Sequence, residues 1–134
     1  GKKKIGFGQG KWLAGFGGKQ EAGETIEETA IREVREEVGL EILTMAKVGA
    51  YEASWENSSR ICEVHIFKIT DYRGEPSESD EMAPRWFELN SLPVEQMWPD
   101  VKYWLPLFLE SKKFNGKFFY NQENQVVDYK INLE

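Results

Sequence analysis

The chain has 134 residues, with 17 Lys and Arg against 23 Asp and Glu, a formal charge of −6 and one cysteine. That length suits one domain burying about two-thirds of its unfolded surface, and 40% hydrophobic with 30% charged residues excludes a disordered chain. The charge argues against a binder of nucleic-acid polymers, which needs a basic face. No apolar run reaches the roughly 20 residues of a membrane span, and no signal peptide is visible.

The chain opens on Lys2, Lys3 and Lys4, then the glycine-punctuated run Gly6-Phe7-Gly8-Gln9-Gly10 and Trp12. This reads as a loop. Its lysines are either a solubilising tail or, if they lie near an anion site, a grip for phosphate.

From Gly15 to Leu40 the sequence reads GFGGKQEAGETIEETAIREVREEVGL. Thr25 and Glu28 form a capping-box signature and Gly39 is a C-terminal stop, so a helix is predicted over Ile26–Val38. At about 100° per residue Ile26, Ala30, Val34 and Val38 make an apolar stripe, with Ile31 on its edge. Glu33, Glu36 and Glu37 sit beside that stripe. Glu33 and Glu37 are an i, i+4 like-charge pair, which destabilises an isolated helix by a few tenths of a kcal/mol. Two readings explain such a face: a solvated acidic surface, or a carboxylate cluster for a hard divalent ion. Arg32 has Glu28 and Glu36 within helical reach, and Glu24 upstream.

After the helix, Glu41 to Ala46 is expected to be an extended connector into a strand at about Val48 to Trp55. A turn at Glu56-Asn57-Ser58-Ser59 leads to a second strand, Arg60 to Thr70, with Cys62, Val64 and Ile66 on one face and His65 on the other. A lone strand histidine is read as structural and left out of the site. Cys62 cannot pair within the chain and reads as a small buried hydrophobe in a reducing, cytoplasmic setting. A polar loop through Glu78, Asp80 and Glu81 precedes an expected short strand, Arg85 to Leu89. A short turn follows from Asn90 to Gln96. Tyr103, Trp104, Leu107, Phe108 and Leu109 then give a helical apolar face, with Pro106 able to shorten or kink it. Phe118 to Tyr120 and Val126 to Leu133 are predicted to close the chain as a hairpin. The order is α+β, with a mixed sheet between helices and one domain over residues 1–134.

Gly18, five residues, Glu24, seven residues, then Arg32-Glu33-Val34-Arg35-Glu36-Glu37-Val38-Gly39-Leu40 resembles the Nudix box at every defined position. The segments Phe7 to Trp12, Ser79-Asp80-Glu81-Met82 and Met97-Trp98-Pro99-Asp100, with the C-terminal hairpin, are similar to the MutT-homologue branch of that superfamily. The resemblance implies the Nudix fold, an α/β/α sandwich with a mixed sheet, whose apolar first strand is expected to be missing because this chain starts after it. It implies metal-dependent hydrolysis of oxidised purine nucleoside triphosphates such as 8-oxo-dGTP, giving the monophosphate and pyrophosphate and so cleansing the nucleotide pool. The alternatives are a Nudix hydrolase for a dinucleoside polyphosphate or ADP-ribose, and a non-catalytic Nudix-fold binding module.

The site residues follow from the same resemblance. Glu33, Glu36 and Glu37 are the implied catalytic set, with Glu33 and Glu37 both open as general base. Mg²⁺, or Mn²⁺, is held by these three with the Gly17 carbonyl and Glu81. Lys3, Phe7, Leu13, Phe16, Gly17, Gly18, Lys19, Trp98, Pro99 and Asp100 are the implied substrate contacts, Trp98 stacking on the purine and Asp100 hydrogen-bonding its edge. Two positions depart from the branch: Val101 replaces a second aspartate, and Leu13-Ala14 replaces one asparagine, making the pocket less polar. The expected partner is a small nucleotide, with no nucleic-acid polymer, no membrane and a monomeric state.

Overall fold

A computed structural model describes residues 1–134. The element order is β1 (Lys2–Lys3), α1 (Ile26–Val38), β2 (Glu41–Trp55), β3 (Ile61–Arg73), β4 (Met82–Ala83), 3-10 turns at Leu89–Ser91 and Val94–Gln96, α2 (Val101–Leu109), β5 (Phe114–Tyr120) and β6 (Val126–Leu133). Two compact units are built from interleaved segments: Gly1–Met45 with Ile69–Trp98, and Ala46–Lys68 with Pro99–Glu134. No helix is long and apolar enough to cross a membrane.

The first unit is organised by α1. Its ends lie where the sequence places them: Thr25 accepts from the Glu28 amide, Glu28 accepts from the Thr25 amide, and Gly39 closes the helix in the left-handed conformation at φ 75°. A residue with a Cβ is strained there, which is why the stop is glycine. Val34 and Val38 are buried, and with Leu40, Ile42 and Met82 they form a core against which Leu13, Phe16, Ile31, Met45 and Ile69 pack. Each fully buried aliphatic side chain contributes about 1.5–3 kcal/mol, so the apolar stripe rather than helix propensity fixes where α1 lies.

The lysine segment, read as a loop, begins with a strand. Lys2 lies opposite Ala83 and Lys3 opposite Met82 in an antiparallel pair of β1 with β4. Lys2 also bridges to Trp12, and Trp12 to Met97. The Lys3 amide donates to Lys11 O and the Gly10 amide to Lys3 O, so the glycine loop folds back on the lysines. Arg85 to Leu89, expected as a strand, is irregular and ends in a 3-10 turn; the strand in this region is Met82–Ala83. Met82 is fully buried, whereas Trp86 and Leu89 are exposed.

The second unit holds the closing strands. The four-stranded sheet runs β3-β2-β5-β6. β2 and β5 are parallel, from Gly49 opposite Phe114 to Trp55 opposite Tyr120, and β5 and β6 are antiparallel with an irregularity at Phe119 and Tyr120. β5 begins at Phe114, four residues before the predicted start, and Glu41 to Ala46 is strand rather than connector. A Cβ at Gly49 would strike the Phe114 ring, so that glycine lets the parallel pair close. On α2, Trp104 and Leu105 are buried and the Trp104 ring stacks on Phe114 at 6.3 Å.

Candidate active site

The predicted acidic face of α1 lies in the first unit, and its three glutamates differ in environment. Glu37 is 3% exposed. Glu33 is half-buried and Glu36 is exposed. Glu33 Oε1 accepts from Arg32 Nη1 at 2.6 Å, and Glu36 Oε2 accepts from the same nitrogen at 3.3 Å. As they stand, no three acidic side chains converge into a ligand set, because Arg32 draws two of these carboxylates to itself.

Arg32 is the hub of that face. Its Nε donates to Glu24 Oε2 at 3.0 Å and its Nη2 to Glu24 Oε1 at 2.7 Å, a bidentate fork. Nη2 also donates to the Lys19 carbonyl at 3.0 Å, tying the glycine loop to the helix. The Arg32 fork and the Glu21 amide hold the Glu24 carboxyl down at about 2. Thr29, buried, completes the clamp by donating to Glu24 Oε1 at 2.8 Å. Thr29 was not singled out from the sequence. The one local signal is its place four residues after the N-cap, from which its hydroxyl also reaches the Thr25 carbonyl.

Glu37 is the least comfortable of the three. Burial is the main cause that pushes its carboxyl up to about 7, Glu33 adds to it, and Lys3 and the Gly17 backbone amide pull it back. Its Oε2 is buried with no hydrogen-bond partner. An unpaired buried carboxylate oxygen is costly, and beside a second carboxylate it is the kind of donor that a hard cation satisfies. Gly18 supports the same reading: a Cβ there would fall on the Glu33 carboxyl, so only glycine lets the loop approach that group. The residues therefore fit a divalent ion.

The remaining first-unit candidates divide. Lys3 is half-buried and close enough to Glu37 to affect its charge. Glu81 is exposed, and its carbonyl accepts from the Lys4 amide at 2.9 Å, which sets it beside the lysine strand. Gly17, Gly18 and Lys19 form the exposed loop before α1. Leu13 and Phe16 pack on the helix core. Phe7 lies 5.0 Å from Trp98 with the rings inclined at 57°, and Gly8 lies against the same indole, so Trp98 is flanked by the glycine loop. The Trp98 amide donates to Trp12 O at 3.1 Å.

Asp100 is 1% exposed, in the second unit, and three side-chain donors meet its carboxylate. Tyr51 and Tyr120 hydroxyls both donate to Oδ2 at 2.6 Å and Trp104 Nε1 donates to Oδ1 at 3.2 Å. Burial raises its pKa while these three donors lower it. Pro99 adjoins it, half-buried. Neither tyrosine was singled out from the sequence, because each sits in a strand and nothing local marks a shared acceptor 49 positions from one and 20 from the other.

Comparison with known proteins gives the class to which this loop and helix belong. Residues 2–108 match the NUDIX domain. The chain is 46% identical over 131 residues to the oxidized purine nucleoside triphosphate hydrolase of Danio rerio, covering 98% of this chain and 83% of that protein. It is 45% identical to the protein of that name from Mus musculus, with the same coverage. The solved MutT protein of Bacillus halodurans superposes with a TM-score of 0.77 at 25% identity, covering 87% of this chain and 80% of that one. The chain belongs to the NUDIX family and has its α+β fold. It is a Nudix hydrolase, a family that generally uses divalent metal ions.

Proposed function

We propose that this chain hydrolyses oxidised purine nucleoside triphosphates such as 8-oxo-dGTP to the monophosphate and pyrophosphate, with Mg²⁺ as the metal and Mn²⁺ able to replace it. The observation that carries the reading is Glu37 Oε2, a buried carboxylate oxygen with no partner, set beside Glu33 on the Nudix helix. The names and coverage of the zebrafish and mouse relatives support the substrate class.

Glu33, Glu36 and Glu37, with the Gly17 carbonyl and Glu81, would hold the ion. When bound, it neutralises phosphate oxygens and lowers the pKa of a coordinated water. Glu33 or Glu37 takes the proton of the attacking water, both carboxylates standing on the same face of α1. Arg32 fixes Glu33 and Glu24, and through the Lys19 carbonyl fixes the loop over which the phosphates lie. Lys3 and Lys19 offer point charges to the phosphates. Gly17 and Gly18 let the backbone approach them, and Trp98 with Phe7 offers the flat face on which the base stacks.

We take residues 1–134 as one Nudix domain, since β2 and β3 run without interruption from one unit into the other. We further propose a cytoplasmic monomer acting on free nucleotide, in keeping with the lone cysteine and the net charge of −6. The test is hydrolysis of 8-oxo-dGTP, dGTP, 2-hydroxy-dATP, ADP-ribose and a dinucleoside polyphosphate in Mg²⁺, following pyrophosphate against phosphate or AMP. Pyrophosphate released preferentially from the oxidised nucleotides is expected. Preferential cleavage of ADP-ribose or a dinucleoside polyphosphate in the same panel would replace this substrate assignment.

A further inference from the structure

Between the end of β3 at Arg73 and the start of β4 at Met82 the chain has no regular structure, and this stretch carries Glu81. A small set of hydrogen bonds gives it its shape. Ser77 sends its amide at 2.9 Å and its hydroxyl at 3.3 Å to the Val38 carbonyl, at the C-terminal end of α1. Ser79 then closes a turn: its amide donates to Met82 O at 3.0 Å, and its hydroxyl oxygen accepts from the Glu81 and Met82 amides at 3.3 and 3.2 Å. Asp80 and Glu81 are exposed on that turn, whereas Met82, its last residue, is fully buried.

Lys4 grips the turn on both arms. Its ammonium donates to the Ser79 carbonyl at 3.0 Å and pairs with the Glu78 carboxylate, and its amide donates to the Glu81 carbonyl at 2.9 Å. Its neighbour Lys3 lies opposite Met82 in the β1-β4 pair and is close enough to Glu37 to act on its charge. All these groups belong to the first compact unit. An ammonium has three donors, and two of those on Lys4 are engaged by protein oxygens, so this lysine is placed to hold a loop rather than a phosphate. An ion pair this exposed contributes little to folding. Its consequence is where the turn sits.

Resting on the functional reading above, in which Glu81 joins the metal set, we propose that Lys4 is a positioning residue: by holding both arms of the turn over residues 79–82, it fixes the backbone from which Glu81 reaches the ion. Lys4 itself touches neither ion nor nucleotide. Coulomb's law gives the rival expectation the opposite sign. Removing a positive charge near a cation site, and releasing the Glu78 carboxylate, strengthens cation binding where charge alone acts. Loss of a group that orients a metal-binding carboxylate weakens it, by about 10- to 100-fold.

The experiment is Mn²⁺ binding to the metal-free chain, followed by the paramagnetic resonance of free Mn²⁺. It compares wild type, Lys4→Met, Glu81→Gln and the double variant, each checked as folded by circular dichroism. Lys4→Met is expected to weaken binding by about 10-fold or more, and Glu81→Gln at least as much. The double variant should stay within about twofold of Glu81→Gln, because Lys4 acts through Glu81. Lys4→Arg, which keeps the charge and the donors, should restore most of the affinity. Unchanged or tighter binding in Lys4→Met, with Glu81→Gln weakened, overturns the proposal and leaves the metal assignment standing. Losses that multiply in the double variant put Lys4 outside the path through Glu81 and overturn it too. So does a raised KM for 8-oxo-dGTP with wild-type Mn²⁺ affinity, which makes Lys4 a phosphate contact. Wild-type affinity in Glu81→Gln removes Glu81 from the metal set, and the functional reading at that residue falls with the proposal. Should Lys4→Met fail to fold, Lys4→Gln carries the same comparison.

Discussion

Replacing Glu37 by glutamine keeps the shape of the side chain and removes its ionisation. Burial moves this carboxyl from its ordinary 4.5 to about 7. Each tenfold in proton affinity is about 1.4 kcal/mol, so the ionised carboxylate costs the folded state about 3 kcal/mol. The folded chain holds this proton more tightly than the unfolded chain does. The Glu37 contribution to stability is therefore most favourable below about pH 4.5, falls as pH rises to about 7, and is level above. In chelator at pH 8, Glu37→Gln is expected to melt on the order of 10 °C above wild type, with the gap closing toward pH 5 and hydrolysis abolished. Thermal melts followed by circular dichroism at several pH values measure the gap, and taking the difference cancels the titrating groups that do not interact with Glu37. A Mg²⁺ titration should then raise the wild-type midpoint and leave the variant where it was. A gap that is absent, or that ignores pH between 5 and 8, refutes the argument that Glu37 is an uncompensated buried carboxylate.

Two further outcomes follow from the same site. Trp98→Ala should raise KM for purine triphosphates by about 5- to 150-fold with kcat little changed, the equivalent of about 1–3 kcal/mol of base stacking; steady-state kinetics in Mg²⁺ measures it. Arg32→Lys keeps the charge but loses the two-pronged hold on Glu24, so kcat should fall about 10- to 100-fold. NMR titration of the Glu24 carboxyl should show its pKa rising from about 2 toward the ordinary range.

The parts of this molecule that were legible in the sequence are those written in local chemistry. Thr25, Glu28 and Gly39 set both ends of α1 by contacts three or four residues long, and the helix ends where they say. The family was legible for a similar reason: the spacing of Gly18, Glu24 and the glutamates reflects one loop folding onto one helix, with Arg32 closing it. What was missed depends on distant partners. Lys2 and Lys3 carry no strand signal and are strand only because Met82 and Ala83 lie beside them. Gly116 and Lys117 look like breakers, yet they lie within β5 because β2 supplies a parallel neighbour. Asp100 reads in sequence as a carboxyl for the edge of a base, and nothing nearby announces two tyrosines pointing at it.

The parallel pairing of β2 with β5 also bears on how the molecule is made. Gly49 has to wait for Phe114 before that seam can zip, so the contact is far apart along the chain and its loop closes slowly. Until the last turn and strands leave the ribosome, β2 presents bare amide and carbonyl groups from Gly49 to Trp55 along one edge. Nascent or C-terminally clipped copies are thus the species most prone to stick to one another, and slow synthesis with chaperone cover favours recovery of the native enzyme.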